Sequence, residues 1–355
     1  MSDDYLWDGS GRPDPDIEKL EHVLGSLRYD RPAPVFPETV KSGEFPARAW
    51  FARRWFFLSL AAASAVILIA IGSGLLWRFR TPVVDGWSVT SVAGTPRVGQ
   101  ETVGVSHRTE TLTIGQTLET DGQSRARIRV EDIGEIRIDP DTRLRVLSSP
   151  SGGSRLALDR GTIHARIWAR PGIFVVDTPS ALAVDLGCAY TLHVDDSGDG
   201  LIRTSLGWVG FKLGDHESFI PAGAACVTRP RSGPGTPYFE DSSVALRSAL
   251  STLDRASSAR AEQAVALRTV LAHSRKRDAL TLWHLLVRVE YAEREQVFDR
   301  LAGLVPPPSS VTRDGILRLD RTMLDAWWNQ LDLGDISLWR HWERSWSPPP
   351  NPAQK

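Results

Sequence analysis

Hydrophobic and polar positions follow three rhythms along this 355-residue chain. The first is no rhythm at all. Residues 55–77, "WFFLSLAAASAVILIAIGSGLLW", carry no charge between Arg54 and Arg78. As a helix rising about 1.5 Å per residue, this stretch matches a hydrocarbon core of about 30 Å. Trp55 and Phe56 at one end and Leu76 and Trp77 at the other suit the membrane interface. The pattern predicts one transmembrane helix. It starts too far into the chain and runs too long for a cleaved signal peptide. Lys41, Arg48, Arg53 and Arg54 precede it, while Arg78 and Arg80 follow. That bias favours a cytoplasmic N-terminus and places the C-terminal part on the other side of the membrane.

The second rhythm has period two and fills residues 83–240. In "RARIRV", Ala126, Ile128 and Val130 share one side while Arg125, Arg127 and Arg129 share the other. "GEIRIDP" and "TRLRVLS" repeat the device, and Gly, Asp and Pro mark the turns between runs. About a dozen strands are predicted, forming an all-β domain of stacked, short antiparallel strands. The outward arginines are explained by a solvated, aggregation-resisting face, with no ligand needed.

From residue 241 the period becomes 3.6. "SSVALRSALSTLDRASSARAEQAVALRTVLAHS" predicts helix with a break near Ser257-Ser258. "RDALTLWHLLVRV" and "YAEREQVFDRLAGLV" predict two more helices, stopped by Pro306 to Pro308. "DRTMLDAWWNQL" and "ISLWRHWERSW" complete a small all-α domain over 241–347, and residues 348–355 form a tail. Trp327, Trp328, Trp339, Trp342 and Trp346 crowd this region, which predicts a core first and a partner surface second. At the other end, residues 1–50 are polar and Pro-rich around one amphipathic stretch. There Leu20, Val23, Leu24 and Leu27 form a stripe that a helix this short cannot bury alone, so it either meets a partner or stays a nascent helix in a disordered tail. The whole reads as a membrane-anchored α+β chain: tail, single span, β domain, α domain.

Charge narrows the function. Lys and Arg total 42 against 43 Asp and Glu, so no global positive field supports nucleic-acid binding. The nucleotide-cradling, zinc-protease and nucleophile-elbow motifs are missing from the sequence, which argues against an enzyme and for no cofactor. His216 in "LGDHES" and the acidic "DDSGDG" at 195–200 read as hairpin turns rather than metal sites. Two cysteines exclude a disulfide-dense scaffold. Cys188 falls in register with Leu186, Tyr190, Leu192 and Val194, on the face expected to be buried, where a thiol is inert. Outside the cytoplasm it either pairs with Cys226 or both remain packed thiols.

The order of several short motifs resembles the FecR family. "LTIGQTLET" supplies Gly115, Leu118 and Thr120; "LALDRGTIHARI" supplies Gly161. "VVDTPSALAVDLG" supplies Val176, Thr178, Pro179 and Gly187, and "GWVGF" supplies Gly207 and Val209. The resemblance covers roughly residues 88–225. It implies a single-pass inner-membrane regulator whose β-rich domain is periplasmic. It further implies a cytoplasmic tail that binds a sigma factor, and a periplasmic or outer-membrane protein partner. Two features depart from that pattern: the tail offers one helix rather than several, and the C-terminal domain is helical and Trp-rich. The expected function is non-enzymatic sensing or regulation. The alternative is a periplasmic envelope-assembly module with no transcriptional role.

Overall fold

The computed structural model describes residues 86–103, 109–130, 132–148, 153–255 and 258–345, together with Leu24. The apolar stretch 55–77, the tail positions Leu20, Val23 and Leu27, Trp346 and residues 348–355 lie outside the described residues. Leu24 is helical, with 59% of its surface exposed. Among the described residues no helix is long and apolar enough to cross a membrane.

The alternating segments form two sheets that share one strand. In the first sheet, β4 (Thr109–Thr113) pairs with β1 (Gly86–Ala93), then follow β6 (Arg125–Val130) and β7 (Gly134–Ile138). The C-terminal half of β9 (Ser154–Ile167) comes next, followed by β12 (Ala189–Val194), β13 (Gly200–Leu206) and β16 (Ala224–Arg229). Short β17 (Gly233–Pro234) and β18 (Tyr238–Phe239) close its edge. In the second sheet, β3 (Glu101–Thr102), β2 (Arg97–Val98), β5 (Thr117–Glu119) and β8 (Arg143–Ser148) lead to the N-terminal half of β9. From there run β10 (Phe174–Asp177), β11 (Leu182–Asp185), β14 (Trp208–Leu213) and β15 (His216–Pro221). All pairings are antiparallel except β9 with β10. Four of the strands are two residues long, too short to show alternation, which is why the sequence predicts fewer.

Gly161 makes the shared strand possible. Its φ of +96° bends β9 out of one sheet and into the other, and a Cβ there would overlap the backbone of Thr142. Between the sheets lie Trp87, Leu118, Ile128, Ile136, Leu144, Phe174 and Leu192, all fully buried. Trp87 and Phe174 meet across this interior at 6.2 Å between ring centroids.

Seven α-helices follow among the described residues: α1 (Val244–Leu253), α2 (Arg260–His273), α3 (Ala279–Leu286), α4 (Tyr291–Leu304), α5 (Arg313–Leu317), α6 (Arg321–Gln330) and α7 (Ile336–Ser345), with a 3-10 turn at Lys276–Asp278 leading into α3. The predicted break falls between α1 and α2. Ser243, Thr312 and Asp320 cap α1, α5 and α6 by accepting from Leu246 N, Gly315 N and Met323 N. Five residues of α5 carry too little periodicity to be read from sequence.

The helices cover the outer face of the second sheet at β14 and β15. Phe219 of β15 is ringed by Trp208, Trp283, Trp328 and Trp339, with centroids 5.1 to 5.8 Å away. Gly210, opposite Phe219, leaves room for the Trp339 ring, which a Cβ would overlap. His284 of α3 accepts the Phe219 N–H on Nε2 at 2.9 Å and donates from Nδ1 to Leu280 O at 2.8 Å. Burial drives its pKa down to about 3, so the ring is neutral and stitches helix to sheet. Beside it, Glu217 accepts from Trp339 Nε1 and Arg340 Nη1, both at 2.9 Å. Arg340 also forks onto Asp325 at 2.8 and 2.9 Å, and Lys212 meets Glu343 at 2.5 Å. The second sheet is therefore covered on both faces at β14 and β15, while β6 and β7 of the first sheet are covered on one.

Candidate interaction face

The FecR-motif residues build the scaffold and do not converge. Leu118, Val176 and Val209 are fully buried. Gly115 occupies the turn before β5, where its N–H donates to Val146 O. Thr120 donates to Asp139 O at 2.7 Å and accepts from Thr142 N at 2.9 Å, clipping two hairpins together. Thr178 Oγ1 accepts from Ala181 N and Ser180 N, forming with Pro179 the turn between β10 and β11. Gly207 joins β13 to β14, and Gly187 lies in the loop that carries the chain from the second sheet to the first.

That loop holds Cys188, and the Cys188–Cys226 disulfide is not formed: both thiols are free and buried. The register explains why. Cys226 lies opposite Ile202, which lies opposite Leu192. Cys188 is therefore two strand spacings and four residues away, roughly 16 Å at about 4.8 Å per strand and 3.3 Å per residue. A bridge needs Cα atoms within about 7 Å. Cys188 Sγ donates instead to Asp185 Oδ2 at 2.8 Å, and Cys226 Sγ to Gly235 O at 3.2 Å. Burial raises Cys188 well above the ordinary thiol range and Cys226 to about 12, so neither is a nucleophile. Burial also lifts Asp185 to about 7, against the lowering pull of hydrogen bonds from Cys188 Sγ and from the Gly187 and Cys188 backbone N–H groups.

The turns read from sequence are turns. His216 begins β15 after a tight hairpin at Gly214-Asp215. Asp195 Oδ1 accepts from Ser197 N, Ser197 Oγ and Asp199 N, closing the "DDSGDG" hairpin on itself. Among the described residues no cluster of His, Cys, Asp or Glu has the makings of a metal site. Trp327, Trp328 and Trp339 are fully buried and Trp342 nearly so, as a core requires. Sequence reasoning missed the Glu217–Arg340–Asp325 cluster, because its members are more than a hundred residues apart at one end and meet only in the fold.

The exposed surface with the strongest pattern is the outer face of the first sheet. Pairing aligns Thr90, Arg127, Arg137, His164, Thr191 and Arg203 in one row across six strands. A second row runs Ser88, Arg129, Glu135, Arg166 and Ala189. His164 bridges Asp139 at 2.9 Å and Thr191 at 2.9 Å. Beyond Arg166, Trp168 stands 62% exposed with Nε1 held by Asp132 O, and Leu206 is 66% exposed beside it. This face offers charge, hydroxyls and one aromatic plane, but no nucleophile–base pair.

Comparison with curated proteins finds no match. Two crystal structures of a candidate anti-sigma factor from Parabacteroides distasonis are similar to this chain, each with 13% identity and a TM-score of 0.32. Each alignment covers 38% of this chain and 64% of that one, so the chain spans less than two thirds of the solved proteins it matches. Residues 116–206, from the end of the Gly115 turn through β13, match the family model described as FecR protein, and this matching segment lies within the two-sheet body.

Proposed function

We propose that the protein is a FecR-type regulator with no enzymatic activity, anchored in the inner membrane by residues 55–77. The observation that carries this reading is the FecR match over 116–206. The uncharged stretch flanked by Arg53, Arg54, Arg78 and Arg80 supports a single span with the N-terminus in the cytoplasm. The β and α segments then lie in the periplasm and receive a protein or ligand. The tail stripe of Leu20, Val23, Leu24 and Leu27 meets a cytoplasmic partner, for which a sigma factor is the first choice. Relay needs two states that the two partners stabilise differently.

Reporter fusions at residues 45 and 240 test the placement. A reporter active in the cytoplasm at 45 and in the periplasm at 240 is expected; a cytoplasmic signal at 240 overturns it. Capture of the full chain from membranes tests the relay: a sigma factor should be recovered with the intact tail and lost on deleting residues 1–40. Recovery of no cytoplasmic protein removes the relay.

A further inference from the structure

The outer face of the first sheet holds unspent charge. Arg125, Arg127, Arg137 and Arg203 each lie near a carboxylate of Asp139, Glu135 or Glu240. Arg129 and Arg166, both exposed, have no carboxylate partner among the described residues. They flank Glu135 in one row, two strand spacings or about 10 Å apart. Three shallow depressions follow one another along this face. One of about 480 Å³ includes Arg127 and Arg129; a smaller one of about 150 Å³ includes Arg137, His164 and Arg166; the last, about 690 Å³, includes Arg166, Trp168 and Leu206.

We propose that this face binds an anionic polysaccharide, a chain of sugar rings bearing carboxylates. Arg129 and Arg166 would each take a carboxylate in a two-pronged contact. Glu135 shares their row and Asp139 lies beyond the neighbouring one; Arg137 and His164 each occupy one of their oxygens, and sugar hydroxyls can donate to the lone pairs left over. A phosphate backbone or an acidic peptide brings the anions but few hydroxyl donors for those lone pairs. The Trp168 indole, fixed by its bond to Asp132 O, gives a pyranose ring an apolar plane at one end of the groove. A folded protein partner would want large apolar side chains at the centre of the face, whereas here they lie at the margin. The inference rests on the β domain lying outside the cytoplasm, where such polymers occur.

The test uses the full chain in detergent and polygalacturonate as probe, with binding read by immobilised-polymer titration. Binding is expected to weaken steeply with salt and to fall at least tenfold in Arg129→Ser/Arg166→Ser. Trp168→Ala should fall a few-fold. A second double variant, Arg97→Ser/Arg145→Ser, removes exposed arginines from the other sheet and should bind as the parent does. Methyl-esterified polymer should not bind. Polyglutamate binding as tightly would overturn the proposal in favour of an acidic peptide, and equal binding by the two double variants would reduce it to bulk charge. Absence of polygalacturonate binding by the parent sinks it outright. Binding together with a cytoplasmic reporter at residue 240 would keep the chemistry and sink the placement.

Discussion

β6 and the β14–β15 hairpin face the same interior but different exteriors. β6, "RARIRV", alternates exposed and buried without exception, whereas "WVGF" and "FIP" in β14 and β15 are buried on both faces. The difference lies in what the outer side chains meet. Arg127 and Arg129 meet solvent, whereas Gly210 and Phe219 meet tryptophans from the helices and Trp208 packs on Phe219 and beside Gly334. Continuous apolar strands thus mark where a second layer lands, and strict alternation marks where none does. The outer face over β6, β7 and β9 stays open because the helices land on β14 and β15 and, in the first sheet, only at the β18 edge.

The largest test of that contrast is Phe219→Ala. Removing a fully buried ring from among four tryptophans should cost about 3 to 5 kcal/mol, read as a lower urea midpoint with loss of near-UV tryptophan ellipticity. A cost near zero would mean that the helices are held elsewhere. Arg340→Ala comes next. It leaves Glu217 and Asp325 partly buried without their cation, and about 2 to 3 kcal/mol is expected after allowing for their residual exposure. Arg340→Lys should restore only part, since an ammonium cannot fork onto both carboxylates.

The pH response separates the helix seam from the loop that joins the sheets. His284 titrates near 3 in the fold and near 6.5 when unfolded, so acid stabilises the unfolded chain and stability falls as pH drops from 6.5 towards 3. Asp185 behaves oppositely. Its folded value of about 7 lies above the unfolded value near 4, so stability falls as pH rises from 4 to 7. Between pH 4 and 6.5 the two slopes oppose, each up to about 1.4 kcal/mol per pH unit. Asp185→Asn keeps an oxygen for the Gly187 N–H and removes one slope. Urea midpoints of this variant should rise with pH across that window and exceed the parent's at pH 8. A midpoint profile unchanged from the parent would falsify the buried ionisation of Asp185.

Local pattern carried most of the elements. The β6 and β7 alternation, the α1–α2 break, the proline stop after α4 and the buried tryptophans are all legible, because each depends on neighbours within a few residues. Partnerships across the fold are not. Nothing in "LGDHESF" shows that Glu217 will hold Arg340, or that the Phe219 N–H will find His284, since both contacts form only when α3 and α7 land on β14 and β15. The Cys188–Cys226 pairing fails for the same reason: burial can be read from alternation, but separation needs the register of β12, β13 and β16. The outer arginines lie between these cases. Their direction is readable from period two, while the row that sets Arg129 and Arg166 on either side of Glu135 appears only once β6, β7 and β9 are paired.

The smallest effect is the one that tests the open face itself. Arg127 lies 3.9 Å from Glu135 with about half its side chain exposed. An ion pair at that distance in solvent adds little, because screening and side-chain entropy offset the attraction. Arg127→Ala should therefore change stability by no more than about 0.5 kcal/mol in urea unfolding, and Arg137→Ala likewise. The comparison with β14 and β15 depends on that small number. A cost above about 2 kcal/mol would mean that the face is packed against something in the parent protein, a second copy being the simplest case, and midpoints that rise with protein concentration would then identify it. Concentration-independent midpoints with a small cost leave the face as bare solvent-exposed charge, the condition that binding an outside ligand requires.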